Sequence, residues 1–379
     1  MKVTILFKEF FESEKAAGII LIIGTVISLL FANFFFQNSY SNLWQYEFGN
    51  HSITHWINDG LMAIFFLLIG LELEREIFIG ELSNMKKASF PIIAAFGGFT
   101  IPAVLFLVFN YGTSTQSGAG IPMATDIAFA IAILSLLGNR VPLSLKIFLT
   151  AIAVIDDLVA IIVIALFYTK TLIWINLIIS LSIFGILLLL NRLKVKMLSI
   201  YLLGGVVMWY FMYNSGVHAT ITGVLLAFAI PFGNGSSTSI SYKLQHLLHK
   251  PVAFIILPLF AIANTAIVIG GDWQTGLNEA NSIGIIVGLL VGKPLGILLF
   301  ASIGVLLGAC TLPKDLKWQN ILGVGLLSGI GFTMSIFITI LAYEDDILIN
   351  NSKIAIIVAS VLAGLFGFIT LRFTLKEKV

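Results

Sequence analysis

The feature that most constrains this chain is a series of long apolar blocks separated by short polar stretches. Of its 379 residues, 59% are hydrophobic and 11% are charged, whereas a soluble globular domain has about 25% charged residues. Because a water-exposed surface needs more charge, the composition excludes a soluble enzyme, a disordered chain and a nucleic-acid-binding protein. The length of the blocks favours membrane helices over the short alternating strands of an outer-membrane barrel.

Twelve of the blocks approach the length of a bilayer span, which needs about 20 mostly apolar residues. The loops between them are short, so we expect one all-α, polytopic membrane domain over residues 1–379. The predicted spans are residues 15–36, 55–79, 89–110, 120–138, 144–168, 172–191, 197–213, 216–231, 251–270, 282–309, 319–342 and 352–373.

The basic residues predict how these spans are oriented, because Lys and Arg concentrate in cytoplasmic loops. Eighteen of the 21 lie at the termini and in the loops of one side, two (Lys170 and Lys353) lie on the other side, and Lys293 lies in a span. Both termini are therefore expected in the cytoplasm. The eighteen are Lys2, Lys8, Lys15, Arg75, Lys86, Lys87, Arg140, Lys146, Arg192, Lys194, Lys196, Lys243, Lys250, Lys314, Lys317, Arg372, Lys376 and Lys378.

The first outer loop has the pattern of a β-hairpin over residues 43–54. Apolar and polar residues alternate from Leu43 to Phe48, Gly49-Asn50 is a turn signal, and residues 52–54 favour a strand. Because an isolated hairpin is only marginally stable in water, this one is expected to pair with a second copy of the chain. The alternative is a disordered loop that contains some aromatic residues.

Four ionisable residues remain inside the predicted spans: Asp126, Asp156, Asp157 and Lys293, with Asp59 near a span end. Charges inside a bilayer are costly and usually mark an ion or substrate path. The alternative, ion pairs that only lock helices together, is disfavoured because three acids and one base do not all pair.

Asp156 and Asp157 occupy the middle of the fifth span, and adjacent helical residues point about 100° apart. The two carboxylates therefore face different neighbours and can differ in role. A deprotonated carboxylate is a hard oxygen ligand that suits a small cation such as Na⁺. A site that holds either protons or a cation is the minimal device for cation/proton exchange.

The fourth span contains Gly and Pro that interrupt a helix over residues 118–126, and the eleventh contains a series of glycines over residues 323–333. Unwound backbone survives in a membrane only where protein buries it or it lines a wet cavity, although glycines in the eleventh span also fit close helix packing. Breaks at corresponding positions favour inverted repeats. We assign residues 88–168 and 282–373 to core repeats, and residues 10–87 and 172–270 to an interface and dimerisation part. Asp126 and Lys293 then neutralise helix ends, or Lys293 pairs with Asp156.

Five motifs resemble the bacterial Na⁺/H⁺ antiporter family of the NhaA type, and the resemblance runs from about residue 10 to 373. It implies twelve helices with crossed, interrupted fourth and eleventh helices, and a homodimer joined partly by the hairpin. It also implies export of Na⁺ or Li⁺ across the bacterial inner membrane, driven by entry of more protons, without a cofactor. The motifs are Ala124-Thr125-Asp126-Ile127-Ala128-Phe129, Ile155-Asp156-Asp157-Leu158, Gly216-Val217-His218-Ala219-Thr220, Gly292-Lys293-Pro294-Leu295-Gly296 and Gly329-Ile330-Gly331-Phe332-Thr333-Met334-Ser335.

The resemblance also implies roles for individual residues. Asp157 is the main Na⁺ ligand with Asp156 close by, Thr125 and Asp126 lie beside the site, and Lys293 is the charge partner and a proton carrier. Sensing of pH is assigned to a cytoplasmic funnel. The residues that match there are Glu72, Arg75, Glu76, His246 and His249, and His218 matches a further pH-linked position, although a single His in a membrane helix is more often a packing residue.

Two residues depart from the family pattern near this predicted sensor. Gln245 stands where the family often has Glu, and Glu74 stands where a basic residue is common. Both departures change the charge of the predicted sensor and hence the pH at which it acts.

The leading hypothesis is thus an electrogenic, pH-regulated Na⁺(Li⁺)/H⁺ antiporter that works by alternating access. No covalent chemistry is involved, so the chain is not expected to be an enzyme. The alternatives are a sodium-coupled symporter of an organic anion on a related inverted-repeat fold, and a passive channel or structural membrane subunit.

Overall fold

The structure, a computed structural model, describes residues 2–35, 37–169, 171–270 and 273–375. Lys170, Lys376 and Lys378, which contribute to the predicted orientation, lie outside the described residues. The described chain is predominantly helical, as the apolar blocks predict. Its α-helices are α1 (Lys2–Leu30), α2 (Gln37–Gln45), α3 (Ile53–His55), α4 (Met62–Phe78), α5 (Met85–Asn110), α6 (Ile127–Ser135), α7 (Leu143–Phe167), α8 (Trp174–Arg192), α9 (Leu198–Tyr213), α10 (Ile221–Ala229), α11 (Ile240–Pro251), α12 (Leu257–Asn264), α13 (Trp273–Leu277), α14 (Ala280–Val287), α15 (Lys293–Leu306), α16 (Trp318–Ser328), α17 (Phe332–Ala342) and α18 (Asp346–Thr374).

Several spans are not uniformly α-helical. Four spans contain a π-helical segment, which either extends one α-helix or connects two α-helices. Such a segment keeps the helical span continuous and changes its twist locally. Three 3₁₀ segments occur as well, two in loops and one in the predicted fourth span. The π segments are Phe31–Phe35, Trp56–Leu61, Val252–Ile256 and Gly288–Gly292, and the 3₁₀ segments are Glu81–Ser83, Gln116–Met123 and Gly138–Arg140.

Among the described residues, nine helical segments are long and apolar enough to cross a bilayer. The count is ten if α16 and α17, which meet at a bend of 47°, form one span. The predicted seventh and eighth spans are shorter helices, α9 with 16 residues and α10 with nine. At 1.5 Å per residue α10 is about 14 Å long, because the chain before it turns through Gly216 at a φ of 86° instead of continuing as a helix.

The strand pair in the first predicted outer loop is shorter than the predicted hairpin. Glu47–Phe48 (β1) and His51–Ser52 (β2) are antiparallel, with Phe48 opposite His51. The strand assignment was wrong outside them, because residues 43–45 belong to α2 and residues 53–54 to α3. Tyr40 and Trp44, four residues apart on α2, form an edge-to-face ring pair. These aromatic residues therefore follow the spacing of a helix. The alternation from Leu43 to Phe48 is too short to show that spacing.

The chain forms two compact units. The first contains Met1–Gln37, Asn84–Ala160 and Asn264–Val379, and the second contains Asn38–Ser83 and Ile161–Ala263. In the first unit α5 and α15 pack at backbone distance, since a Cβ added to Gly97 or to Gly296 would lie 2.1 Å from the other's carbonyl oxygen. In the second unit α4, α8, α9 and α10 share an apolar core. The predicted split into core repeats and an interface part concerns function and stays a prediction.

Candidate functional site

The two helix breaks in the first unit are joined by hydrogen bonds to their backbone carbonyls. The N–H of Asp126 donates to the carbonyl of Ile330 at 2.6 Å, and the hydroxyl of Ser335 donates to the carbonyl of Ile121 at 2.7 Å. Buried backbone groups need such partners. The unwound residues before α6 and those between α16 and α17 therefore satisfy one another in an apolar environment.

The carboxylate of Asp126 lies at the first turns of both α6 and α17. Its Oδ1 accepts from the backbone N–H of Phe129 at 3.0 Å. Its Oδ2 accepts from the backbone N–H of Thr333 at 3.1 Å and from the Thr333 hydroxyl at 2.6 Å. Because a helix N-terminus carries partial positive charge, one buried anion compensates both half-helices.

Lys293, at the start of α15, forms a fully buried ion pair with Asp156 on α7. Its ammonium also donates to the Thr125 hydroxyl at 2.9 Å. That hydroxyl lies 2.7 Å from Asp156 Oδ2 and 2.8 Å from the carbonyl oxygen of Ser328, the last residue of α16. A hydroxyl has one proton, so Thr125 donates to one of these two acceptors at a time.

These contacts bear on the two roles left open for Lys293. In the structure the ammonium pairs with Asp156, and the Thr125 hydroxyl links it to the carbonyl oxygen at the C-terminal end of α16. Spacing along the chain carries no information on this choice.

Asp156 and Asp157 are buried together in α7, with 1% and 2% of their surface exposed. The Oδ2 of Asp156 is the oxygen that contacts both the Lys293 ammonium and the Thr125 hydroxyl. The Oδ1 of Asp156 is buried and has no hydrogen-bond partner among the described residues. The Oγ of Ser328 is also buried without a hydrogen-bond partner among the described residues. Buried oxygens with spare lone pairs suit a small hard cation. No three His, Cys, Asp or Glu side chains of the described residues form a resident metal site.

Two residues of this region were not assigned a role from the sequence. Thr333 holds Asp126 with both its backbone and its side chain, and Ser328 supplies the carbonyl that contacts Thr125. Both lie within four residues of the Gly329-Ile330-Gly331 break. The available signal was a hydroxyl residue on each side of a helix break.

Five of the six residues predicted to sense pH lie on α4 and α11 of the second unit. His249 Nδ1 is 3.8 Å from Glu72 Oε1, and the Arg75 guanidinium lies 5.6 Å from the ring centre of Tyr242. Tyr242 in turn stacks on His246 with ring centres 5.4 Å apart. Four of the predicted residues are therefore gathered along two packed helices, in two groups. Glu76 follows one turn after Glu72 on α4.

Glu74, on the same helix, is 5% exposed and therefore almost completely buried. His218 precedes α10, and its Nε2 lies 2.8 Å from the carbonyl oxygen of Tyr168. The structure thus gives His218 a hydrogen-bond contact with the backbone of Tyr168 and places it outside α4 and α11.

A sequence model of the family described as Na⁺/H⁺ antiporter 1 matches residues 8–371. The chain belongs to this family. The match includes every residue of the two helix breaks and of the α4/α11 group.

Proteins similar to this chain include several antiporters of the family over their full length. One, named Na(+)/H(+) antiporter NhaA, from Flavobacterium psychrophilum, is 65% identical and covers 100% of this chain and 99% of its own. Another, Na(+)/H(+) antiporter NhaA 1 from Flavobacterium johnsoniae, is 66% identical, and the match covers 99% of this chain and 98% of the relative. An Escherichia coli (strain UTI89) NhaA is 45% identical and covers 98% of both.

A solved structure shares the fold at low sequence identity. The sodium proton antiporter MjNhaP1 from Methanocaldococcus jannaschii, at pH 8, matches with a TM-score of 0.51 and 15% identity over 99% of both chains. The likeness supports an all-α polytopic architecture for this antiporter family member.

Proposed function

We propose that the chain is an electrogenic Na⁺(Li⁺)/H⁺ antiporter of the bacterial inner membrane that exports sodium for sodium and pH homeostasis. The observation that carries this function is the buried group of Asp156, Lys293 and Thr125, which lies where the two interrupted spans meet. The full-length relatives that are named as antiporters support the same function.

The exchange follows from competition for the buried carboxylates. On the cytoplasmic side, deprotonated Asp157 binds the cation, with oxygens of Asp156 and Thr125 beside it. The cation displaces the ammonium of Lys293 from Asp156, because two cations do not share one small carboxylate site. After the core repeats move, protons from outside return to the carboxylates and release the cation. More protons than sodium ions move in each cycle, so membrane potential drives export.

We further propose twelve spans in the functional protein, with α9 and the short α10 as the seventh and eighth, and both termini in the cytoplasm. Residues 88–168 and 282–373 form the moving repeats, and residues 10–87 and 172–270 form the interface part. A homodimer joined by residues 43–54 is supported by the exposed aromatic side chains there, since Tyr46 is 65% and Phe48 is 72% exposed.

Regulation by pH is assigned to the residues of the α4/α11 group. His249 Nδ1 lies 3.8 Å from Glu72 Oε1, so protonation of the imidazole strengthens the attraction between the two side chains. His249→Gln is expected to shift the activation pH and to leave the maximal rate above half of its original value. An unchanged activation profile in this variant would remove His249 from the sensor.

The proposed function is tested by Na⁺-induced dequenching of a pH-sensitive dye in everted membrane vesicles. We expect the wild-type chain to release the proton gradient on addition of Na⁺ or Li⁺, and Asp157→Asn to abolish the response. Asp346→Asn, at an exposed aspartate of α18, is the matched control and retains activity. Full activity of Asp157→Asn would refute the assigned site.

A sodium-coupled symporter of an organic anion is not supported. The named relatives are antiporters, and the ammonium of Lys293 is neutralised by Asp156. An anionic substrate would therefore meet an excess of negative charge.

A further inference from the structure

The second unit contains a cavity of about 220 Å³ that the transport cycle described above does not use. It lies between the segment that follows β2 and the end of α9, and its lining is mostly aromatic. The lining residues on which the argument rests are His51, His55, Asp59, Trp56, Trp209 and Tyr213.

Three of the lining rings form a stacked column. Trp56 and Trp209 have ring centres 6.4 Å apart with planes inclined by 28°, and Trp209 and Tyr213 have centres 5.7 Å apart with planes inclined by 19°. The indole N–H groups are held by the carbonyl oxygens of Phe48 and Asp59, at 3.0 and 3.3 Å. The rings are thus fixed in place with their donors occupied, and they offer a ligand the ring faces that are not covered by stacking, which attract cations.

The cavity has one carboxylate, that of Asp59, and no Lys or Arg among the described residues that line it. His51 and His55 stack with ring centres 4.3 Å apart, and each Nε2 lies 3.0 Å from the Tyr213 hydroxyl. The Tyr213 hydroxyl therefore holds both rings at one side of the cavity. Asp59 Oδ2 lies 3.4 Å from His55 Nε2 and supplies the acidic group there.

We propose that this cavity binds a small organic ammonium group, with the cation beside Asp59 and its alkyl groups against Trp56, Trp209 and Tyr213. An aromatic wall that ends in a carboxylate suits a methylated or substituted ammonium better than a bare metal ion. The described residues contain no group of three His, Cys, Asp or Glu arranged to hold a metal. The ammonium belongs either to a free organic cation or to a phospholipid headgroup, since Trp and Tyr concentrate at membrane surfaces.

The test uses the full chain in nanodiscs of phosphatidylglycerol, which has no ammonium group. Tetramethylammonium is titrated at constant ionic strength, and its binding is followed by tryptophan fluorescence. We expect saturable binding that weakens about tenfold or more in Asp59→Asn and in Trp56→Leu. Trp174→Leu, at a tryptophan of α8 that is 65% exposed and outside the cavity, and Glu47→Gln, on β1, bind as the wild type does.

Absence of saturable binding, or unchanged binding in Asp59→Asn, would overturn the proposal. Trp56 is 40% exposed, so Trp56→Leu keeps the test decisive if Asp59→Asn does not fold. Nanodiscs that contain phosphatidylethanolamine identify the source of the ammonium. Weaker tetramethylammonium binding in them indicates that the lipid headgroup occupies the cavity, and equal binding indicates a free organic cation.

Discussion

The ammonium of Lys293 and the carboxylate of Asp156 form an ion pair in which both side chains are fully buried. Removing one partner of such a pair leaves an uncompensated charge in a medium of low dielectric constant, which typically costs about 3–5 kcal/mol. Each partner therefore compensates the buried charge of the other in the cation-free protein, and a bound cation has to take over the compensation that Lys293 gives Asp156.

The first prediction concerns the stability of this pair. Lys293→Met is expected to lower the free energy of unfolding by about 3–5 kcal/mol, because Asp156 is left charged and buried. The double variant Lys293→Met/Asp156→Asn is expected to recover more than half of that loss. Unfolding by detergent titration of the purified protein measures both changes. Equal losses in the single and double variants would show that the pair is not the cause.

The second prediction concerns the hydroxyl of Thr125, which touches Asp156, Lys293 and the carbonyl of Ser328. Thr125→Val keeps the shape and removes the hydroxyl, so we expect the apparent affinity for Na⁺ to fall about threefold to tenfold, as the loss of one polar contact implies. Thr125→Ser retains the hydroxyl and is expected to stay within about twofold of the wild type. Vesicle dequenching over a range of Na⁺ concentrations gives these affinities, and equal affinities in the two variants would contradict the assignment.

The third prediction concerns pH. Since protons and the cation compete for Asp156 and Asp157, lowering the pH is expected to weaken apparent Na⁺ affinity, by about tenfold per pH unit for each proton displaced. The dependence flattens at higher pH, where the carboxylates have lost their protons before the cation binds. Proteoliposomes with equal pH on both sides measure it. An affinity that does not vary between pH 6 and 8 would exclude direct competition.

The fourth prediction concerns the close contact of α5 and α15. In Gly296→Ala the new Cβ would lie 2.1 Å from the carbonyl oxygen of Gly97, so the helices must separate, and we expect a loss of about 1–3 kcal/mol in stability. Gly185→Ala is the matched control on α8, where an added Cβ meets nothing within 4 Å. It is expected to leave stability unchanged or raise it by up to about 1 kcal/mol. A similar loss in both variants would show that close packing is not the reason for Gly296.

The sequence predicted the residues of the site better than it predicted their contacts. Asp126, Asp156, Asp157 and Lys293 were found because an ionisable side chain in an apolar span is costly. The breaks were found because Pro122 and the glycines of the eleventh span interrupt helices. The rotation of one helix about its axis relative to another depends on tertiary packing. For this reason the sequence left open whether Lys293 pairs with Asp156 or neutralises a helix end, and it did not identify Phe129 and Thr333 as the donors to Asp126.

Boundaries were predicted less well where a local pattern is short. The alternation from Leu43 to Phe48 fits a strand and the end of a helix equally, and the structure has both. The helix in the eighth predicted span is short for another reason. Residues 216–231 are apolar enough for a full span, but the turn at Gly216 keeps the first five of them out of the helix, which begins at Ile221. Packing against α4 stabilises the short α10.

The shared capping of α6 and α17 by Asp126 limits how the two half-helices move. If they separated, one of them would keep the carboxylate and the other would expose a partly positive end with no counterion in the interior of the bilayer. A displacement that carries both together avoids this penalty. The single carboxylate thus couples the two half-helices mechanically, although more than 200 residues separate Asp126 from Thr333 along the chain.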